Sequence, residues 1–107
     1  MTAATDPAPT PSDWTPESAK EELDRLREQI SEVDERLIRT IGERRDLVLQ
    51  VGRIKEILGI PVLDPGREAQ VVRGAVERAR EFGLDEEMTR DVFWRIIAAA
   101  RSAQSGR

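Results

Sequence analysis

Between Pro16 and Pro61 the chain carries no proline, and its apolar residues recur at helical steps. The stripe runs Leu23, Leu26, Ile30, Val33, Leu37, Ile41, Val48, Val51 and Leu58, at three- and four-residue spacings or their multiples. Thr15 suits the N-cap, Pro16 the first helical position and Glu17 the first turn. Gly42 and Gly52 weaken such a helix only slightly. Gly59-Ile60-Pro61 ends it, because glycine fits the C′ position and proline cannot continue. A helix of about 43 residues would extend roughly 65 Å, whereas a compact 100-residue domain has a radius of gyration near ~13 Å. Some fifty remaining residues cannot cover it, so two or more chains are expected to share the coverage.

Two positions on the continued stripe are cationic, Arg44 and Lys55. They are eleven residues apart, which brings them within ~20° of the same helix face. A buried cation costs several kcal/mol unless something anionic meets it. Such a conflict between pattern and chemistry tends to mark function.

Asp64-Pro65 is a second start signal, and the helix that follows places Val72, Ala75, Ala79 and Phe82 on one stripe. Four residues before Val72 the stripe reaches Glu68. Gly83 closes that helix, and Leu84-Asp85-Glu86-Glu87 opens a third with acids at its positive end. Its stripe is Met88, Val92, Ile96 and Ala100, with Phe93 and Ile97 beside it, and one step on is Gln104. The expected fold is all-α: one long N-terminal helix and two shorter ones, without strands or repeats. Residues 1–14, rich in Pro, Ala and Thr, read as a disordered tail, 15–104 as the helical domain and 105–107 as a short C-terminal tail.

Arg44, Lys55, Glu68 and Gln104 form a set spread over all three helices. Each has an ordinary explanation. Arginine can snorkel, Glu68 can serve a helix dipole, Gln104 sits near a fraying end, and a polar seam residue can fix register. Their coincidence points to a ligand. Along the helix Arg44 and Lys55 are ~16 Å apart, so both can lean toward a small molecule between them. Arg27 lies ~25 Å before Arg44 and could join them only from an antiparallel partner helix.

Composition narrows the chemistry. With 38% hydrophobic, 36% charged and 4% aromatic residues, the chain suits amphipathic helices rather than a sandwich or barrel. Its net charge of −4 gives no general basic footprint for nucleic acid. There is no cysteine and no histidine, which removes thiol chemistry, the commonest general base and the commonest metal ligand. No metal or other cofactor is expected. Neither a membrane span nor a signal peptide is evident, so a cytoplasmic location is expected.

The spaced set Leu26-Arg27-Glu28-Gln29-Ile30, Glu43-Arg44-Arg45, Val51-Gly52-Arg53-Ile54-Lys55 and Val62-Leu63-Asp64-Pro65-Gly66-Arg67-Glu68, with Gln104 in the third helix, resembles the all-helical class of chorismate mutases over about residues 17–104. The resemblance implies an interlocked homodimer of three-helix chains that converts chorismate, a small dicarboxylate, to prephenate for phenylalanine and tyrosine synthesis. It implies that Arg27 from the partner chain and Arg44 bind substrate carboxylates, and that Lys55 and Gln104 contact the ether oxygen. It implies too that Glu68 holds the ring hydroxyl, with Asp64 and Arg67 lining the pocket. A one-step pericyclic rearrangement needs no nucleophile, metal or proton relay, only a held conformer and stabilised charge. Ala100 departs from the pattern, standing where better-known members carry a small hydroxyl residue that helps bind a carboxylate.

Relatives of this fold act on isochorismate, releasing pyruvate, or on 4-amino-4-deoxychorismate. The acidic pair Asp64 and Glu68 favours the chorismate mutase over the pyruvate lyases. A dimeric helical adaptor, its buried cations paired with acids across the interface, is the alternative from another class. No second catalytic domain is expected in this chain, and a separate regulatory enzyme could still bind it.

Overall fold

A computed structural model describes residues 13–104; the expected tails at 1–14 and 105–107 lie outside these, apart from Asp13 and Trp14. The described chain is three α-helices, α1 (Pro16–Leu58), α2 (Pro65–Glu81) and α3 (Glu86–Gln104), with no strand among the described residues. None of the helices is long and apolar enough to cross a membrane. The chain divides into two compact units, the division falling inside α1 between Ile38 and Arg39.

The first unit holds the beginning of α1. Thr15 Oγ1 accepts the Ser18 N–H at 3.1 Å and the Thr15 N–H donates to Ser18 Oγ at 2.8 Å, so each end of the cap satisfies the other. Glu22 and Arg25 pair one turn on, and the Arg25 hydrogen bond holds the Glu22 carboxyl below its usual range. The apolar stripe of this unit, Leu23, Leu26, Ile30, Val33 and Leu37, is exposed along its length.

The second unit contains the rest of α1 with α2 and α3. The α1 end closes on Gly59 at φ +69°, where the Gly59 N–H donates to Glu56 O and the Ile60 N–H to Lys55 O. Gly83 at φ +70° closes α2 in the same way, through Gly83 N–H to Arg80 O and Leu84 N–H to Ala79 O. Only a residue without a Cβ takes that left-handed conformation cheaply. Asp64 caps α2, its Oδ1 accepting the Arg67 N–H at 3.1 Å, with Pro65 opening the helix. At the α2–α3 turn the Arg80 guanidinium grips Glu86 through bonds of 3.0 and 3.1 Å, and this hydrogen bonding holds the Glu86 carboxyl below its usual range.

Helices α2 and α3 pack on each other through Val72, Val76 and Ile97, with Val71 and Phe93 at the margin. Ala75, Ala79, Thr89 and Ala100 are also buried, and Thr89 satisfies its hydroxyl on Asp85 O at 2.9 Å. This differs from the expected faces. Phe82 is 77% exposed rather than on the core stripe, because it is the C-cap residue of α2, where the helical path ends. On α3 the row Thr89–Phe93–Ile97 faces α2, while Met88 and Val92 are exposed. Those rows lie side by side on the helix, and packing against Val72 and Val76 selects the one that spacing alone leaves open.

The α1 residues of the second unit are mostly outside this core. Leu47, Val51 and Ile54 are exposed, and the buried residue of α1 is Gly52.

Candidate active site

A cleft of about 200 Å³ opens within the second unit. Arg44, Val48, Val51 and Lys55 of α1 line one side, Val62 and Asp64 of the connecting loop and Arg67, Glu68 and Val71 of α2 another, and Ile97, Ala100, Arg101 and Gln104 of α3 a third. Seven positions singled out in the sequence, Arg44, Lys55, Asp64, Arg67, Glu68, Ala100 and Gln104, are therefore gathered around one space. Arg27 lies in the first unit, exposed, beside a shallow surface depression with Glu28, Ser31 and Glu32.

Each side chain is positioned by a local cause. The α1 end brings Lys55 under the loop, where its half-buried ammonium donates to Val62 O at 3.3 Å. Gln104, in the last turn of α3, reaches α1 and donates through Nε2 to Val48 O at 2.7 Å. A carbonyl only accepts, so this bond fixes which end of the amide faces α1. It leaves the second N–H of that nitrogen and the amide oxygen for other partners. Gly52 makes the approach possible: a Cβ there would lie 3.3 Å from Gln104 Nε2 and 3.4 Å from its Cγ.

Glu68 and Arg101 form a forked ion pair across α2 and α3, Nη2 to Oε1 at 3.1 Å and Nε to Oε2 at 3.2 Å. Arg67 turns along its own helix to Gln70 Oε1 at 3.1 Å. Ala100 is buried in the cleft wall and offers no hydroxyl. Arg44 is half-buried, and among the described residues neither it nor Lys55 pairs with a carboxylate. The cleft thus carries four cationic side chains against two carboxylates, with most of its remaining wall apolar. Water is partly excluded from such a wall, so the attraction for an anion is stronger than on an open surface. No group of three or more His, Cys, Asp or Glu side chains among the described residues could hold a metal.

Three contributors were not anticipated. Gly52 reads in the sequence only as a weak point of a helix, although it lies one turn from both Val48 and Lys55. Arg101 stands 33 residues from Glu68, and no local spacing links them. The Val48 carbonyl leaves no trace in a side-chain pattern.

An all-helical chain with a cation-lined cleft of this size has the charge and shape to attract a small anionic molecule. The chain belongs to the chorismate mutase type II family, a family of isomerases, whose profile matches residues 26–105. A chorismate mutase from Methanocaldococcus jannaschii is 32% identical over 84 residues, covering 78% of this chain and 85% of the relative. A 4-amino-4-deoxychorismate mutase from Streptomyces pristinaespiralis is 32% identical over 97 residues, covering 91% of this chain and 74% of the relative. The T-protein of Enterobacter agglomerans is 31% identical over 84 residues, which are 78% of this chain but 22% of that longer protein.

Proposed function

We propose that this protein is a chorismate mutase, rearranging chorismate to prephenate in one pericyclic step. In that step the C–O bond of the enol ether breaks as a new C–C bond forms, and negative charge grows on the ether oxygen. Arg44 binds a substrate carboxylate, for which a guanidinium fork is suited. Lys55 and the second N–H of Gln104 donate to the ether oxygen, more strongly as its charge develops. Glu68 receives the ring hydroxyl, and Asp64 and Arg67 line the same pocket. No proton is transferred and no nucleophile is needed.

The observation that carries this reading is that Arg44 and Lys55 face one cleft without a carboxylate partner. The adaptor alternative would draw acids for them from a partner chain, and it gives no reason for Asp64, Glu68 and Gln104 to line the same cleft. A substrate dicarboxylate supplies that missing charge.

The same reading includes a homodimer in which Arg27 of one chain completes the cleft of the other. Ligand pockets commonly enclose ~300–1,000 Å³, and this cleft is smaller and open on one side. Large apolar residues along α1 in both units, such as Leu37 and Ile54, each 56% exposed, supply surface for the partner. Incubation with chorismate, with the product identified by mass and by its ultraviolet spectrum, tests the activity. Unchanged chorismate under conditions where the protein is folded and dimeric refutes it.

A further inference from the structure

The two carboxylates of the cleft are held differently. Asp64 Oδ1 accepts the Arg67 N–H as the cap of α2. Glu68, its side chain 18% exposed, is held on both oxygens by Arg101, itself 44% exposed. Arg44 and Lys55 add positive charge that no carboxylate of the described residues offsets. At the Glu68 position the cleft therefore has no unpaired acid with which to receive a cation.

The family's relatives make the distinction concrete. Some are named for chorismate and others for 4-amino-4-deoxychorismate. These compounds differ by a hydroxyl against an amine at one ring position, and an alkyl amine is protonated near neutral pH. We infer that Arg101 is a specificity-determining residue: its forked pair with Glu68 makes the cleft select a neutral hydroxyl over an ammonium at the position Glu68 serves. The inference rests on the mutase reading, in which Glu68 receives that substituent.

Carboxylate oxygens each offer two lone-pair directions. Glu68 can keep both bonds to Arg101 and still accept one hydrogen from a hydroxyl. An ammonium at the same place meets the Arg101 guanidinium as a like charge, and shares a carboxylate already neutralised. Fork geometry also fixes which way the free lone pairs of Glu68 point, which a flexible lysine would not do. A purely structural Arg101, tying α2 to α3, would affect both substrates alike.

The test compares kcat/KM for chorismate and 4-amino-4-deoxychorismate in the parent, Arg101→Leu and Arg101→Gln, with the thermal midpoint of each. The parent should prefer chorismate, and its preference should narrow as the amine is deprotonated at higher pH. Both variants should shift the ratio toward the amine by about fivefold, the upper range for a half-exposed charge pair. A ratio unchanged in variants that still turn over chorismate overturns the inference alone, whereas a parent that prefers the amine overturns it together with chorismate as the substrate. If the parent turns over neither compound, the mutase reading fails and the inference falls with it.

Discussion

Replacing Gln104 by glutamate changes almost nothing in shape and reverses the chemistry of one contact. Gln104 Nε2 lies 2.7 Å from Val48 O, donating to a carbonyl that the α1 ladder already uses for the Gly52 N–H. A carboxylate in that place would set an oxygen against an oxygen, acceptor to acceptor, in a half-buried site. Only the protonated acid can restore the bond. The new carboxyl should therefore titrate above its unfolded value of about 4.3, since the Val48 carbonyl disfavours its charged form. Lys55 and Arg44 line the same cleft and pull the other way, Lys55 the less because it is engaged at Val62 O, so the pH profile reads whether the Val48 contact outweighs them. In the mutase reading the charged form also turns a lone pair toward an ether oxygen that is becoming negative.

The expected loss at neutral pH is of the size seen when one preorganised donor is removed, on the order of 10²-fold in kcat. Turnover should then rise as pH falls, by up to about tenfold per unit, while the parent changes little over the same range. Stability carries the same sign. The folded variant binds a proton more tightly than the unfolded chain, so its stability relative to the parent is greatest below the unfolded pKa and declines as pH rises through the folded one. Initial rates of chorismate loss between pH 5 and 8, with thermal midpoints in the same buffers, measure both. A variant whose activity is flat with pH, or higher at pH 8 than at pH 5, would refute the reasoning from the Val48 contact.

Other expectations follow from single contacts. Lys55→Ala should lower kcat by roughly 10²–10³-fold and leave helicity and dimer mass intact; loss of the dimer instead favours the adaptor. Gly52→Ala should gain up to about 1 kcal/mol of helix propensity yet slow turnover on the order of tenfold, because its Cβ would crowd Gln104 Nε2 at 3.3 Å; kcat and thermal midpoint measured together separate the two effects. Sedimentation equilibrium should give about twice 12.1 kDa, and co-refolding inactive Arg27→Ala with inactive Arg44→Ala chains should restore activity, since a mixed dimer has one cleft free of both changes. Heterodimers that form and stay inactive count against a shared site.

Element boundaries were legible because they depend on local chemistry. Thr15 and Pro16, Gly59, Asp64 and Pro65, and Gly83 each act within a turn of where they stand, and each punctuates a helix as its residue type predicts. Faces were less legible. Met88–Val92–Ile96 and Thr89–Phe93–Ile97 are adjacent rows of one helix, and the neighbour rather than the spacing decides between them. The cleft followed a third rule. Lys55, Glu68 and Gln104 stood out because they interrupted apolar stripes, but what they bond to lies 7, 33 and 56 residues away, at Val62, Arg101 and Val48. Arg101 continues the Thr89–Phe93–Ile97 row, so it gives no sign when Met88–Val92–Ile96 is read as the buried face.

Two kinds of mismatch between pattern and surroundings persist in the folded single chain, and they point to different absent molecules. Along α1 the mismatch is apolar: Leu37, Ile54 and Ile57 face water, although burying each such side chain is worth about 1.5–3 kcal/mol. A nonpolar surface of that kind is satisfied by any well-matched apolar face, and a second copy of the same helix is the simplest. In the cleft the mismatch is ionic, since Arg44 and Lys55 meet no acid. A second copy could answer that only by bringing a carboxylate, whereas Arg27, the residue the dimer reading brings, is another cation. Adding it would raise the charge of a cleft already in cationic excess. The dimer reading thus deepens the need for an anion, and a small dicarboxylate is what both readings require together.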